Sequence, residues 1–333
     1  MTMSGSAAGG TTLGEASERE TLKWIFPRLP AAKSALLGPG DDAAVLAAPD
    51  GRYVVTTDMM IHGPDFRWAW SAPYDLGWKA AATNLSDVAA MGAVPTGLVV
   101  AIAAPSTTPV DDLLAVADGL REACAALAPG CGVVGGDLSV SDTFTIAVTA
   151  FGDLQGRAPV LRSGARPGET VAVSGVLGQA AAGLRLLFEQ AVDAYGEPDR
   201  ARFHAVLRAY PGPVTAQLRP SPPIADGPLA AEAGATAMLD LSDGLVLDAR
   251  RVAEASGVGI DLDPAALGED IRTALSGGED HSLLATFRPG TRLPGGFRAI
   301  GRVTDGSGLT VAGRPFDERG GWDPYEGWDG NAG

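Results

Sequence analysis

Six short acidic motifs punctuate this 333-residue chain, and most of them sit where an apolar run or a helical pattern begins or ends. Gly40-Asp-Asp-Ala-Ala-Val45 places two acids directly before an apolar strand, and Thr56-Thr-Asp58 ends another. Asn84-Leu-Ser-Asp-Val-Ala-Ala-Met-Gly92 sets Asp87 among small apolar residues. Gly135-Gly-Asp137 follows an apolar run, Asp240-Leu-Ser-Asp-Gly244 stands at a helix start, and Ser276-Gly-Gly-Glu-Asp280 adds two more acids. A single acid beside Gly or Ser is ordinarily a turn residue or a helix cap. Six such motifs constrain the chain more tightly if they converge. Like charges about 4 Å apart repel by roughly 4 kcal/mol at an effective dielectric near 20. Convergent carboxylates therefore need hard divalent cations, and all-oxygen ligands select Mg²⁺ or Mn²⁺.

Charge narrows the partners. The formal net charge is −15, which argues against nucleic-acid binding and against an anionic membrane surface, both of which need a basic footprint. A small phosphorylated ligand stays open, provided cations stand between it and the carboxylates. The longest apolar stretch, Gly97 to Ala104, is far short of the about 20 residues a membrane span needs. Cys124 and Cys131 are too few for a disulfide framework, so they are expected to be ordinary buried residues in a cytoplasmic protein.

The pattern along the chain is mixed α and β. Residues 1–14 read as a disordered tail of Gly, Ser, Thr and Ala. A helix is expected from about Glu15 until Pro27 and Pro30 stop it, then a strand at 53–58 and a long helix from Pro73 to Met91. Strands follow at 97–103 and 144–151, with an amphipathic helix over 111–127 between them. The polar, turn-rich run 152–159 marks a boundary between an N-terminal domain, 15–155, and a C-terminal domain, 156–333. The second opens with a strand at 168–175 running into a Gly-rich turn and a helix. Residues 211–228 hold six prolines and read as an irregular loop, and 243–255 as a helix capped by Ser242.

Several familiar nucleotide and metal motifs are absent: there is no Walker loop, no Cys-x-x-Cys and no His-Glu-x-x-His. Three histidines cannot easily make a histidine metal site, so the chemistry falls to the carboxylates.

The order and spacing of these motifs, with Arg162-Ser-Gly-Ala165 added, resemble the thiamine-monophosphate kinases. The likeness runs from about residue 15 to residue 325. It implies a two-domain fold of the synthetase-like α+β and α/β kind. In it an N-terminal mixed sheet pairs across a homodimer into a barrel, and a C-terminal α/β domain packs on each half. The implied reaction moves the γ-phosphoryl of ATP to thiamine monophosphate with several Mg²⁺ ions. By resemblance, Asp42, Thr56, Thr57, Asp58, Asp87, Asp137, Asp240 and Asp243 are metal ligands, direct or through water. Gly136, Asp137, Arg162 and Ser242 match ATP contacts. Asp65 and Glu279 stand at acceptor positions, and Trp322 is expected to stack on a thiamine ring, with Trp328 a nearby second candidate. No general base is assigned, because the acceptor phosphate is already ionised at neutral pH.

Two departures lie on the acceptor side. His62 and Asp65 replace a glutamate and a histidine of the family pattern, and His281 and Ser282 replace tyrosine and glutamate. His62 and His281 are expected at the surface. Lys79 shares a helix with Asn84 and Asp87 and is expected to pair with an acid or a phosphate, structural pairing being the plainer role. Two alternatives are a sibling ATP-dependent enzyme with another acceptor, and a non-catalytic sensor of nucleotide or thiamine phosphate.

Overall fold

The computed structural model describes residues 10–16, 18–37, 44–318, 320 and 321. Asp42, Trp322 and Trp328 lie outside the described residues.

The first half contains α1 (Glu18–Ile25), the short pair β1 (Ala35–Leu37) and β2 (Val45–Leu46), β3 (Val54–Ile61), α2 (Pro73–Ala90), β4 (Val94–Ala104), α3 (Val110–Leu127), β5 (Val133–Val140) and β6 (Thr145–Asp153). Four strands make a mixed sheet in the order β3-β6-β4-β5, antiparallel except for the parallel β4–β5 pair. Along β6 every second residue is buried, so Ile146, Val148 and Ala150 meet the helices α2 and α3 while Thr145, Ala147 and Thr149 face away.

Helix α2 starts cleanly because Pro73 occupies its first turn and the Asp75 carboxylate accepts the Ala72 N–H at 3.1 Å. It ends where Gly92 takes φ +73°, a left-handed stop. Most of the helix is buried, polar Lys79, Thr83, Asn84 and Ser86 included. Its approach to α3 is set by two glycines. A Cβ at Gly77 would lie 2.0 Å from the Val116 carbonyl oxygen, and one at Gly119 2.1 Å from that of Tyr74.

The second half contains β7 (Thr170–Ser174), α4 (Gln179–Gln190), α5 (Arg200–Ala209), α6 (Pro211–Leu218), α7 (Asp226–Glu232), β8 (Ala237–Leu241), α8 (Leu245–Ser256), β9 (Gly259–Leu262), α9 (Ile271–Ser276), β10 (Ser282–Phe287), β11 (Arg298–Thr304), β12 (Gly308–Val311) and β13 (Arg314–Pro315). Its seven strands follow the order β13-β12-β9-β11-β7-β10-β8, antiparallel except for β12 on β9. Strands β8 and β10 are buried at every residue because both faces are covered. One apolar cluster joins Leu239, Leu241 and Leu284 to α8. The other joins Met238, Leu283, Ala285 and Phe287 to Leu85, Val88 and Ala89 of α2. The two halves thus share a continuous core.

Three expectations are corrected. Residues 211–228 are not one irregular loop: α6 and α7 form there, since Pro211, Pro213 and Pro228 all fall in first turns, where a missing N–H costs no helical bond. Ser242 does not cap α8. Instead the Asp248 carboxylate reaches back to the N–H groups of Asp243 and Gly244, at 3.2 and 3.1 Å. At the other end of the chain, Leu13 and Gly14 donate backbone bonds to Thr108 and Ser106, so this part of the expected tail is tied to the β4–α3 connection.

Candidate functional site

Three regions bring the carboxylates together: β3, the middle of α2, and the end of β8 with the loop that precedes β10. Strand alternation turns Thr56 and Asp58 toward α2. The Thr56 hydroxyl donates to Asp87 Oδ2 at 2.8 Å, and the Asp58 N–H donates to Asn84 Oδ1 at 3.0 Å. From the second half, Asp240 accepts from the Ser86 hydroxyl at 3.0 Å and meets His281 Nδ1 at 3.1 Å, both at Oδ2. The β8–β10 ladder pairs Leu283 with Asp240, which brings the Glu279–His281 loop alongside. That loop nests on the β8–α8 turn through Glu279 N–H to Ser242 O at 2.8 Å, and a Cβ at Gly278 would lie 2.4 Å from the same oxygen.

The electrostatics follow from this crowding. Burial, then repulsion from Asp240 and Asp58, pushes the Asp87 carboxyl up to about 7, against the Thr56 hydrogen bond and His281. Burial likewise raises Asp58; His281 opposes this while Asp240, Glu279 and Asp243 add repulsion. These groups form a field that a cation would relieve.

His281 is not at the surface. It is 4% exposed, its Nε2 has no hydrogen-bond partner among the described residues, and φ is +52°. Burial lowers its imidazole, but the bond and charge of Asp240 outweigh this and hold it above its ordinary value. His62 is half-buried and stacks on Trp68 with ring centroids 5.9 Å apart. Asp65 Oδ2 accepts the Ile61 N–H at 2.7 Å, closing its own turn.

Other expected residues stand apart. Thr57 lies on the far face of β3, where its hydroxyl donates to Val148 O at 3.0 Å. Asp137 pairs with Ala101 on that same far face, on edge strand β5, three strand spacings or roughly 14 Å from β3. Gly136 sits beside it, and a Cβ there would lie 2.1 Å from Val100 O, so close strand approach by itself requires glycine. Arg162 is exposed in the connection between the halves. Asp243 is held by Arg251 at 2.6 Å, and Arg251 also holds Asp248 at 2.5 Å. Asn84 and Ser86 were visible in the α2 motif without a role, and their hydrogen bonds to the Asp58 N–H and to Asp240 now supply one. Gln217 carried no signal, being a lone amide in a proline-rich run.

Among the described residues no group of three His, Cys, Asp or Glu side chains is placed to hold a metal ion. Mg²⁺ characteristically uses one or two carboxylates and completes its shell with water and phosphate oxygens. The oxygen-only donors Asp58, Asp87, Asp240 and Thr56 fit that habit when a nucleotide supplies the remainder.

Residues 40–154 match the AIR synthase related protein N-terminal domain. The first half, with its share of the acidic junction, therefore carries a domain of the AIR-synthase-related class. The chain is 44% identical over 310 residues to the thiamine-monophosphate kinase of Mycobacterium tuberculosis, covering 89% of this chain and 86% of that protein. Among solved structures, the thiamine-monophosphate kinase from Stenotrophomonas maltophilia superposes with a TM-score of 0.71 at 32% identity, covering 85% of this chain and 92% of that one. A structure described as AaThiL complexed with AMPPCP and TMP gives 0.69 at 31%, with 84% and 90% covered. The chain belongs to the thiamine-monophosphate kinase family. No helix among the described residues is long and apolar enough to cross a membrane.

Proposed function

We propose that this protein transfers the γ-phosphoryl group of ATP to thiamine monophosphate, giving thiamine diphosphate and ADP. The observation that carries the reading is the convergence of Asp58, Asp87 and Asp240, with hydroxyl partners on the last two carboxylates and Asn84 on the Asp58 N–H, in a chain of this family. Joining two phosphates is chiefly an electrostatic problem, and bound Mg²⁺ would neutralise charge on the transferring group. Asp58, Asp87 and Asp240 would hold the ions, with Thr56 and Asn84 fixing the first two elements against each other. Asp42, Thr57, Asp137 and Asp243 are proposed as further ligands, direct or through water. Gly136, Arg162 and Ser242 are proposed at the nucleotide, and Asp65, Glu279 and Trp322 at the acceptor. The acceptor oxygen needs no base.

A homodimer is proposed with this reading. Val55 and Met59, each 59% exposed, lie on the same far face of the first sheet as Thr57, and a second copy covering that face would enclose Thr57 and Asp137 as well. The domain division at 152–159 is retained as a proposal, and a cytoplasmic setting, where ATP and Mg²⁺ are at hand, suits the reaction.

Incubation with ATP, Mg²⁺ and thiamine monophosphate should yield thiamine diphosphate and ADP in equal amounts, identified by mass. ATP binding without thiamine diphosphate would refute the acceptor and leave a sibling enzyme or a sensor.

The metal reading has its own signature in pH. The folded pKa of Asp87, about 7, exceeds its ordinary value of 3.8, so the fold favours the protonated form. That contribution is fully present below about 3.8 and is lost as pH rises through about 7. In EDTA, Tm should therefore fall between pH 5 and about 8, and Mg²⁺ should stabilise more strongly at the upper end. A Mg²⁺ effect that is flat across this window would remove Asp87 from the ion.

A further inference from the structure

Lys79 is a buried ammonium outside the carboxylate junction. Its side chain is 7% exposed, and it points from α2 to the Glu279 carboxylate, which is 37% exposed. Buried Gln217 completes the group. In the amide orientation that satisfies both its ends, Gln217 donates to Ala180 O at 3.0 Å and accepts from Lys79 Nζ at 3.1 Å. Glu279 sits at φ +71°, a left-handed conformation that a non-glycine residue keeps only when its surroundings enforce it. Burial raises the Glu279 carboxyl, but attraction to Lys79 and then His281 outweighs this and holds it ionised below its ordinary range. Asp65 feels both groups: burial raises it, the Ile61 bond lowers it, Glu279 repels it and Lys79 attracts it. Segments far apart in sequence thus hold the Lys79 amine between a partly exposed carboxylate and a buried amide.

We propose that Lys79 is a positioning residue of the acceptor pocket: it fixes Glu279 in its left-handed loop and holds that carboxylate, 37% exposed, where a cationic acceptor can meet it. This rests on the kinase reading above, in which the acceptor carries a thiazolium cation. Lys79 does not touch the transferring phosphoryl group. It acts through Glu279, with Gln217 holding its amine in register. An ammonium here is also specific in reach. Lys79 and Asp87 lie eight residues apart on one helix, about 12 Å along its axis, so the same rigid element addresses acceptor and metal.

The test compares wild type with Lys79→Met, Lys79→Arg and the double variant Lys79→Met/Glu279→Gln. Readouts are KM for each substrate, kcat, and calorimetric titration with thiamine monophosphate in the absence of ATP. Lys79→Met should raise the acceptor KM and Kd by roughly 10- to 100-fold, the scale of loss seen when a residue that orients a metal ligand is removed. The ATP KM should stay within about twofold, and Lys79→Arg should recover most of the loss. A KM rise shared equally by ATP and acceptor, or a fall in Tm with unchanged acceptor binding, would overturn the proposal in favour of a merely structural pair. If Lys79→Met fails to fold, the double variant removes both charges together. Wild-type acceptor affinity in that variant would also overturn the proposal. Wild-type protein that neither binds thiamine monophosphate nor forms thiamine diphosphate defeats the kinase reading itself, and this proposal with it.

Discussion

Asp87→Asn should lower kcat by about 10²- to 10³-fold while raising the Tm of the metal-free protein. The substitution keeps the shape of the side chain and an oxygen for the Thr56 hydroxyl, which stands 2.8 Å from it. What it removes is charge. On the proposed reading, with a nucleotide bound, that charge would be the ion's counterpart, and losing it would leave the transferring phosphoryl group less well neutralised. Without a cation, the same charge sits in a partly buried place facing Asp58 and Asp240, and its loss relieves repulsion. The two readouts move in opposite directions, which a damaged fold cannot imitate. Steady-state kinetics and scanning calorimetry in EDTA at about pH 8 check both. Turnover within about tenfold of wild type, roughly 1.4 kcal/mol in the barrier, would take Asp87 out of the metal site.

Gly119→Ala should destabilise the protein by about 3 kcal/mol or more. A methyl group there would lie 2.1 Å from the Tyr74 carbonyl oxygen and 2.8 Å from the Trp78 nitrogen, and the obstacle is helix backbone, which cannot rotate aside. Overpacking of a close core ordinarily costs about 1–3 kcal/mol, and a backbone clash lies at or above the top of that range. At 333 residues each kcal/mol moves Tm by only about 1.4 °C, so a fall of roughly 4 °C or more is expected. The shift of α2 away from α3 should also weaken Mg²⁺ binding, because Asn84, Ser86 and Asp87 travel with it. A Tm within about 2 °C of wild type would mean that the helices cross more loosely than their glycines imply.

Much of this arrangement is legible in the sequence because its signals are local. Period-two alternation around Ile146 and Val148 marks β6, and Pro73 with Gly92 brackets α2. The acidic motifs name Thr56, Asp58, Asp87 and Asp240 without any three-dimensional information. Other features depend on packing and leave no local trace. Helices α6 and α7 hide in a proline-rich run because proline content does not say in which turn each ring falls. His281 looks like a surface replacement, yet β10 begins one residue later between covered faces, so the ring is enclosed beside Asp240. Gln217 finds Lys79 only because α6 packs on α4 and α2. Thr57 adjoins Asp58 in sequence, but the pleat of β3 sends the two side chains to opposite faces. Motif adjacency cannot distinguish such neighbours, whereas strand alternation can.

The joined core has a consequence for ligand traffic. Leu85 and Val88 of α2 belong to the same apolar cluster as Met238, Leu283 and Phe287 across the junction, and the Ser86–Asp240 and Lys79–Glu279 contacts pin the helix at two heights. Swinging the halves apart would wet that cluster and break both pins, so the body of the protein has no cheap way to gape. Substrate entry and product escape fall to the segments around the rim, whose local opening leaves the apolar cluster covered.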